Sequence, residues 1–354
     1  MIMRSRVLIS YFFAPDSIPL GFACAGALEQ LGFEAQGFHS QAEHPLQNYL
    51  FKPASKLARI FTGRRTDLSR NLRWNNQRYR QLMLERAVVK FRPELLLVIR
   101  GNNFETDTIR RMKDEHGVRT TTGWWVKDPR ETREMLDDAE IYDHYFCIHR
   151  LGYQEGRGIH YLPALAVYSD LYRPTWNRSE GGFHHDMVFV GGNNPRRENI
   201  LGRLLDLPIE IYGPGWRHGT RILDRRWMRR FKGSSAWGNA LVELYNRSRI
   251  VLNVNSWDPS RTGTNLRLFD VPATGAFLLT EQTEEARAFF KVGEEIETYG
   301  SPEELRDKVN FYLQNQEVRE RIARRGYERT RLLPKYRNRM RDMLAAMERD
   351  VRGR

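Results

Sequence analysis

Apolar positions along the chain fall into alternating strand-like and helix-like stretches. Val7 to Phe13 is a short β-rich run, closed by a turn at Ala14-Pro15-Asp16-Ser17. From Gly21 onward, Phe22, Ala25, Leu28 and Leu31 recur near helical spacing, and Gly32 stops them as a C-terminal glycine does. Residues 33–38 read as a second strand and 44–92 as a strongly basic helical stretch. Leu95-Leu96-Leu97-Val98-Ile99 is a continuous apolar run, typical of a strand buried on both faces. A helix over 106–115 and strands over 120–126 and 145–148 follow. This β-α-β-α-β order predicts an α/β fold with a doubly wound parallel sheet.

Pro163 and Pro174 bracket a segment that fits neither period, which predicts a linker at 162–176. Beyond it the pattern resumes. Strands are expected over 187–190, 209–212, 250–254 and 276–280. Gly191-Gly192 and Gly213-Pro214-Gly215 close the first two. Helices are expected over 195–205, 240–247, 265–274, 302–314, 317–331 and 335–349, with Pro272 set to kink or cut the third. The expected organisation is a first domain over 1–167, a second over 168–330, and a basic C-terminal helix over 331–354.

The length of 354 residues suits two domains at roughly 100–200 residues each. At 40% hydrophobic and 29% charged residues the composition is globular, and it excludes a disordered chain. No run approaches the roughly 18 apolar residues of a membrane span. The N-terminus leads straight into strand-like sequence without signal-peptide regions. Two cysteines, Cys24 and Cys147, cannot build a disulfide scaffold or a cysteine zinc site. A cytoplasmic protein is expected, with the inner membrane face open to it as a peripheral location. Fifty-seven Lys+Arg against 44 Asp+Glu give +13, which points to an anionic partner: nucleic acid, membrane phosphate or a phosphorylated small molecule. A merely solvated basic surface is the plain alternative.

Several chemistries lack their motifs. There is no Gly-Lys pair for a P-loop and no Gly-x-Ser-x-Gly elbow. Gly213 to Gly219 misses the dinucleotide fingerprint by one position. His184-His185 has no carboxylate at ligand spacing, and no Asp-x-Asp occurs, so no metal is expected. Residues 250–330 carry the strongest signal. An apolar strand ends in Asn253-Val254-Asn255, then a loop bearing Gly263, Thr264 and Asn265 opens a helix containing Arg267 and Asp270. Such a loop offers unpaired N–H groups to an anion. Arg267 adds a fork for phosphate, and Asp270 can accept from ribose hydroxyls. An ordinary strand-loop-helix with a surface Arg and Asp would share this pattern.

This block resembles the C-terminal domain of the CgeB-like (spore-maturation-type) glycosyltransferases of the GT-B superfamily. The resemblance rests on Asn265-Leu266-Arg267-Leu268-Phe269-Asp270, Ala273-Thr274-Gly275 and Leu278-Leu279-Thr280. It continues through Glu294-Glu295-Ile296, Ser301 to Leu305, Ile322-Ala323 and Gly326. Phe189 to Gly192 with Arg196, Ile211 to Trp216, and Trp124 to Pro129 extend it upstream. Three positions depart from the family pattern: Asp270 stands for Glu, Thr262 for a second Glu, and Lys127 for an Asp.

The resemblance implies two Rossmann-like domains facing a cleft, with a C-terminal helix that can return to the N-terminal domain. It implies a hexosyltransferase-type enzyme moving sugar from a nucleotide-diphosphate sugar to a hydroxyl of a glycan, lipid-linked or protein acceptor. No cofactor beyond that co-substrate and no metal are expected. Donor-binding candidates are then Gly191, Gly192, Arg196, Gly213, Lys232, Gly263, Thr264, Asn265, Arg267 and Asp270, with Arg196 and Arg267 neutralising the leaving diphosphate. Asp128, just past a buried strand, is the candidate general base, with a helix cap as its plainer role. Asp16, Ser17 and His149 are acceptor-side candidates. Two other readings stay open. One is a GT-B-fold sugar-nucleotide epimerase or hydrolase. The other is a nucleic-acid-binding protein using Trp227 and Phe231 among Arg225, Arg226, Arg229 and Arg230 together with the basic 59–92 stretch.

Overall fold

A computed structural model describes residues 5–55, 57, 75–99, 104–127, 132–148, 158–175, 182–217, 224–233, 235–258 and 264–352. The candidates Asp128, His149 and Gly263 lie outside these residues. The chain divides into two compact units, one of residues 1–162 with 340–354 and one of residues 163–339.

The first unit is a six-stranded parallel sheet of β1 (Arg6–Tyr11), β2 (Glu34–His39), β3 (Leu95–Ile99), β4 (Thr120–Trp125), β5 (His144–Cys147) and β6 (Ile159–Tyr161), in the order β2-β1-β3-β4-β5-β6. Its helices are α1 (Leu20–Gln30), α2 (Asn76–Phe91), α3 (Thr106–Asp114) and α4 (Thr132–Ala139). Leu8, Leu96, Val98 and Trp125 meet Leu84 and Val88 of α2 and Ile109 and Met112 of α3 in one apolar cluster. The helical stretch expected over 44–92 is seen at both ends: residues 45–55 and 57 are helical, with a π-helical turn at Gln47–Phe51, and α2 runs from Asn76 to Phe91; residues 56 and 58–74 between them lie outside the described residues. Asn75 starts α2, its side chain accepting the Arg78 N–H at 2.8 Å.

The second unit repeats the architecture with β7 (His185–Val190), β8 (Ile209–Tyr212), β9 (Phe231–Gly233), β10 (Ser248–Asn253), β11 (Leu278–Glu281) and β12 (Glu297–Tyr299), in the order β12-β11-β10-β7-β8-β9, again all parallel. Its helices are α5 (Pro195–Gly202), α6 (Arg225–Arg230), α7 (Gly238–Asn246), α8 (Arg267–Ala273), α9 (Glu284–Phe289), α10 (Pro302–Gln314) and α11 (Gln316–Thr330). Side-chain alternation explains the double winding. Val188, Val251 and Leu278 pack with α7 and α8 on one face. Phe189, Leu252 and Leu279 pack with α5, α10 and α11 on the other. Pro272 sits one residue before the end of α8, where the Thr274 hydroxyl bonds the Val271 carbonyl at 2.7 Å.

The last helix, α12 (Tyr336–Arg352), begins in the second unit and from Met340 belongs to the first. In the second unit, Val167 N–H donates to the Pro334 carbonyl at 2.8 Å and Arg339 donates twice to the Leu165 carbonyl. These bonds explain why the division falls after Leu162 and not after residue 167. In the first unit, Asp350 accepts from or pairs with His144 Nδ1 at 2.7 Å and His160 Nε2 at 2.9 Å, and Thr122 meets Met347. Among the described residues no helix is long and apolar enough to cross a membrane.

Candidate functional site

Strand order reverses between β7 and β10, and open parallel sheets hold ligands past the carboxyl ends of the strands at such a point. Gly191-Gly192-Asn193 leaves β7 there and Val254-Asn255 leaves β10. The neighbouring turn requires glycine at 213: its φ is +137°, and a Cβ would stand 2.2 Å from the Gly191 carbonyl oxygen. That oxygen accepts the Trp216 indole N–H at 2.8 Å. At Gly192 a Cβ would meet nothing nearer than Pro214 at 3.6 Å, so the protein's own packing leaves space beside this residue.

The start of α5 is fixed by Asn194, which accepts from Arg197 N–H at 2.9 Å, with Pro195 in the first turn. Two adjacent arginines then diverge. Arg197 is buried and clamps the two strand ends together, donating to the Val254 carbonyl at 3.0 Å and the Gly192 carbonyl at 2.9 Å. Burial first, and then the neighbouring Arg267 cation, push its pKa down to about 9, so it remains charged at neutral pH. Arg196 makes a forked pair with the buried Glu281 carboxylate and donates to the Asn255 carbonyl at 3.2 Å. The Arg196 guanidinium is thus shared with a carboxylate at the strand ends. Glu281 also accepts from Asn255 N–H at 2.6 Å and from the Asn255 side-chain amide at 3.1 Å.

Asn265 is likewise engaged by the protein. Its amide donates to Asn253 Oδ1 at 2.9 Å and Asn255 Oδ1 at 2.8 Å, while its own oxygen accepts from Arg267 N–H at 3.0 Å. With both ends engaged, Asn265 ties the start of α8 to the end of β10. Asn253 in turn donates to Thr280 Oγ1 at 2.9 Å, and its carbonyl accepts from the Tyr299 hydroxyl at 3.0 Å.

Three buried polar atoms on these segments have no hydrogen-bond partner among the described residues: Asn193 Nδ2, Thr264 Oγ1 and Arg267 Nε. Asn194 holds the first loop to Ser256, donating to its carbonyl at 3.2 Å, and Asn265 holds the third to Asn255. Buried donors are normally satisfied, so these three, one after β7 and two around the start of α8, are the atoms that an acceptor-rich ligand at these strand ends would satisfy.

Asp270 is 8% exposed. Burial raises its pKa to about 8, opposed by the Arg267 charge and by a hydrogen bond from Tyr172. At neutral pH its carboxyl therefore holds a proton and can donate as well as accept, which differs from the purely accepting carboxylate expected. The stability consequence has a definite sign. Between about pH 4 and pH 8 the folded chain keeps a proton that the unfolded chain has released, so stability falls as pH rises through that window. Melting curves across it should show this slope, and Asp270→Asn should flatten it; an unchanged slope in the variant would place the titration elsewhere.

Lys232 is exposed on the edge strand β9, one strand beyond Gly213, whose N–H donates to the Gly233 carbonyl at 2.9 Å. In the first unit, the Ser17 hydroxyl donates to the Ala14 carbonyl at 2.6 Å and accepts from Ala14 N–H at 3.4 Å, which makes it the closing residue of the turn after β1. Asp16 stands exposed beside it. Trp227 corrects the nucleic-acid reading: it is buried and stacked on Trp216 at 5.5 Å, so it offers no platform for bases. Arg226 pairs with Asp224, and Arg230 donates to the Leu205 carbonyl. Among the described residues no group of three or more His, Cys, Asp or Glu side chains is placed to hold a metal ion.

Arg197, Asn253, Asn255, Glu281 and Tyr299 belong to this site without having been proposed as ligand-binding residues from sequence. Asn253-Val254-Asn255 was visible as a polar strand end. Glu281 had only its place after the Leu278 to Thr280 run to mark it.

Residues 196–345 match the sequence model of a family described as "Glycosyl transferase-like". The chain is 23% identical over 264 residues to the spore protein CgeB of Bacillus subtilis (strain 168), covering 68% of this chain and 78% of that protein. Its fold is similar to sucrose-phosphate synthase from Thermosynechococcus elongatus, with a TM-score of 0.65 at 11% identity over 99% of this chain and 100% of that one. It is also similar to HepE from Anabaena, solved with UDP and glucose, with a TM-score of 0.60 at 10% identity over 98% and 100% of the two chains. The fold is that of the GT-B glycosyltransferases.

Proposed function

We propose that this GT-B-fold chain is a glycosyltransferase that binds a nucleotide-diphosphate sugar at the β7–β10 strand ends of its second unit. The observation that carries the reading is the trio of unpartnered donors, Asn193 Nδ2, Thr264 Oγ1 and Arg267 Nε, beside the open backbone at Gly192. A diphosphate supplies acceptor oxygens for all three and negative charge that offsets the mutual repulsion of Arg267 and Arg197. HepE, solved with UDP and glucose, makes UDP the first diphosphate to test.

In the reaction an acceptor hydroxyl oxygen bonds to the anomeric carbon as the bond from that carbon to the β-phosphate oxygen breaks. The hydroxyl proton passes to a base, for which Asp128 is the candidate, and the nucleoside diphosphate leaves with the bonding pair. Preorganised arginine charge stabilises that leaving group, a role a divalent ion fills in other transferases, so turnover should continue in EDTA. The chemistry of the acceptor is a hydroxyl on a glycan, lipid-linked or protein molecule.

Calorimetry with UDP tests the donor site. Arg267→Ala should weaken binding by about 1.5–3 kcal/mol, roughly tenfold to hundredfold, the scale of a charge-assisted hydrogen bond. Unchanged affinity in a folded variant would remove Arg267 from the site. Loss of all transfer in EDTA, restored by manganese or magnesium, would overturn metal independence.

A further inference from the structure

We propose that the first unit docks on an anionic phospholipid surface through two stretches, residues 46–55 with Leu57 after β2 and the outer face of α2. This goes beyond the donor reading and stands on different residues. Tyr49 is 83% exposed, Leu50 59% and Leu57 56%, and Leu46 lies beside them. The turn carrying them is held from within, because Phe51 and Gln47 are buried. Lys52 adds a cation at the same place, bonded to Glu43 at 2.7 Å.

The outer face of α2 has the same character. Arg78, Leu82, Arg86 and Val89 recur at helical spacing and are all exposed, with Lys90 next to them. None of these three cations has an ion-pair partner among the described residues. Glu85, at the margin of the face, is turned to His116 and Arg111. The chain just before the first stretch is held to the first turn of α2. His44 N–H donates to Asn76 Oδ1 at 2.9 Å, its ring meets the Tyr79 ring at 5.1 Å, and Arg80 donates to the Ala42 carbonyl at 3.1 Å.

Charge and hydrophobicity together select the occupant. A second copy of the chain would set this cationic face against itself. A nucleic acid would answer the cations but leave Leu46, Leu50 and Leu57 in water. An anionic bilayer takes both: headgroup phosphates meet Arg78, Arg86 and Lys90, leucines enter the acyl boundary, and Tyr49 suits the headgroup level with an apolar ring and a polar hydroxyl.

Co-sedimentation of the full chain with vesicles tests this. Vesicles of equimolar phosphatidylcholine and phosphatidylglycerol should bind it, and phosphatidylcholine alone should not. Tyr49→Ser with Leu50→Ser should weaken binding about tenfold or more. Arg78→Gln with Arg86→Gln should weaken it roughly tenfold to thirtyfold. Melting temperature and UDP binding should stay unchanged in both variants, which separates this surface from the donor site. Should the first pair disturb folding, Leu82→Ser with Val89→Ser provides the same test on a regular helix. Absence of sedimentation, equal binding to neutral vesicles, or apolar variants that bind like the wild type would each overturn the proposal. So would tighter binding to single-stranded DNA that only the arginine variants reduce.

Discussion

Asp128→Asn should reduce turnover by roughly 10²–10⁴ while leaving donor affinity nearly unchanged, the range expected when a general base is removed. The position motivates this. Open parallel sheets hold ligands past the carboxyl ends of their strands. β4 is buried from Thr121 to Trp125, and in sequence Asp128 comes three residues after its end. Lys127, the residue before it, lies with its ammonium 4.9 Å from the Trp125 ring centroid. The alternative role is a cap for the helix that follows. Asn caps as well as Asp, so a capping residue would survive the substitution with stability and turnover intact. At least half of wild-type turnover in the Asn variant would sink the catalytic role. Donor binding by the second unit would be untouched by that outcome, since it rests on other residues.

The second large effect is expected at Glu281. Its buried carboxylate is bonded by the Arg196 fork, by Asn255 N–H and by the Asn255 amide. Glu281→Ala would leave a partly buried guanidinium without its carboxylate and the buried Asn255 N–H without its acceptor. Breaking a buried pair from one side costs about 3–5 kcal/mol, and the partial exposure of Arg196 places this case near 3. For a unit of this size that is roughly 6–12 °C in Tm. UDP affinity should fall as well, because Asn255 holds Asn265 and through it the start of α8. A melting temperature within about 2 °C of wild type would show that the pair contributes little.

The sequence made the central strands legible because they are buried on both faces. Leu95 to Ile99 and Ile250 to Leu252 could be nothing else. The three-residue edge strands β6, β9 and β12 were not legible, since Ile-His-Tyr, Phe-Lys-Gly and Glu-Thr-Tyr are too short to show a period. At the site, Arg267 and the glycine turns could be read from local pattern. The division of labour between Arg196 and Arg197 could not, because helix phase against Phe189 decides which of two adjacent arginines is buried. Glu281 meets Asn255 across 26 residues of chain, and no local pattern carries that information. Trp227 misled for a similar reason: its arginine neighbours suggested exposure, but its stack on Trp216 decided its place.

The terminal helix sets an unusual timetable for synthesis. Thr122, His144 and His160 meet partners that lie 225, 206 and 190 residues later. At about 5–20 residues per second, a ribosome delivers those partners roughly ten to forty-five seconds after the strands emerge. Residues 163–339 form one uninterrupted stretch and can finish folding during that wait. The half of the protein made first is thus the half completed last, and a released chain truncated after residue 339 should hold a finished second unit and an unfinished first one.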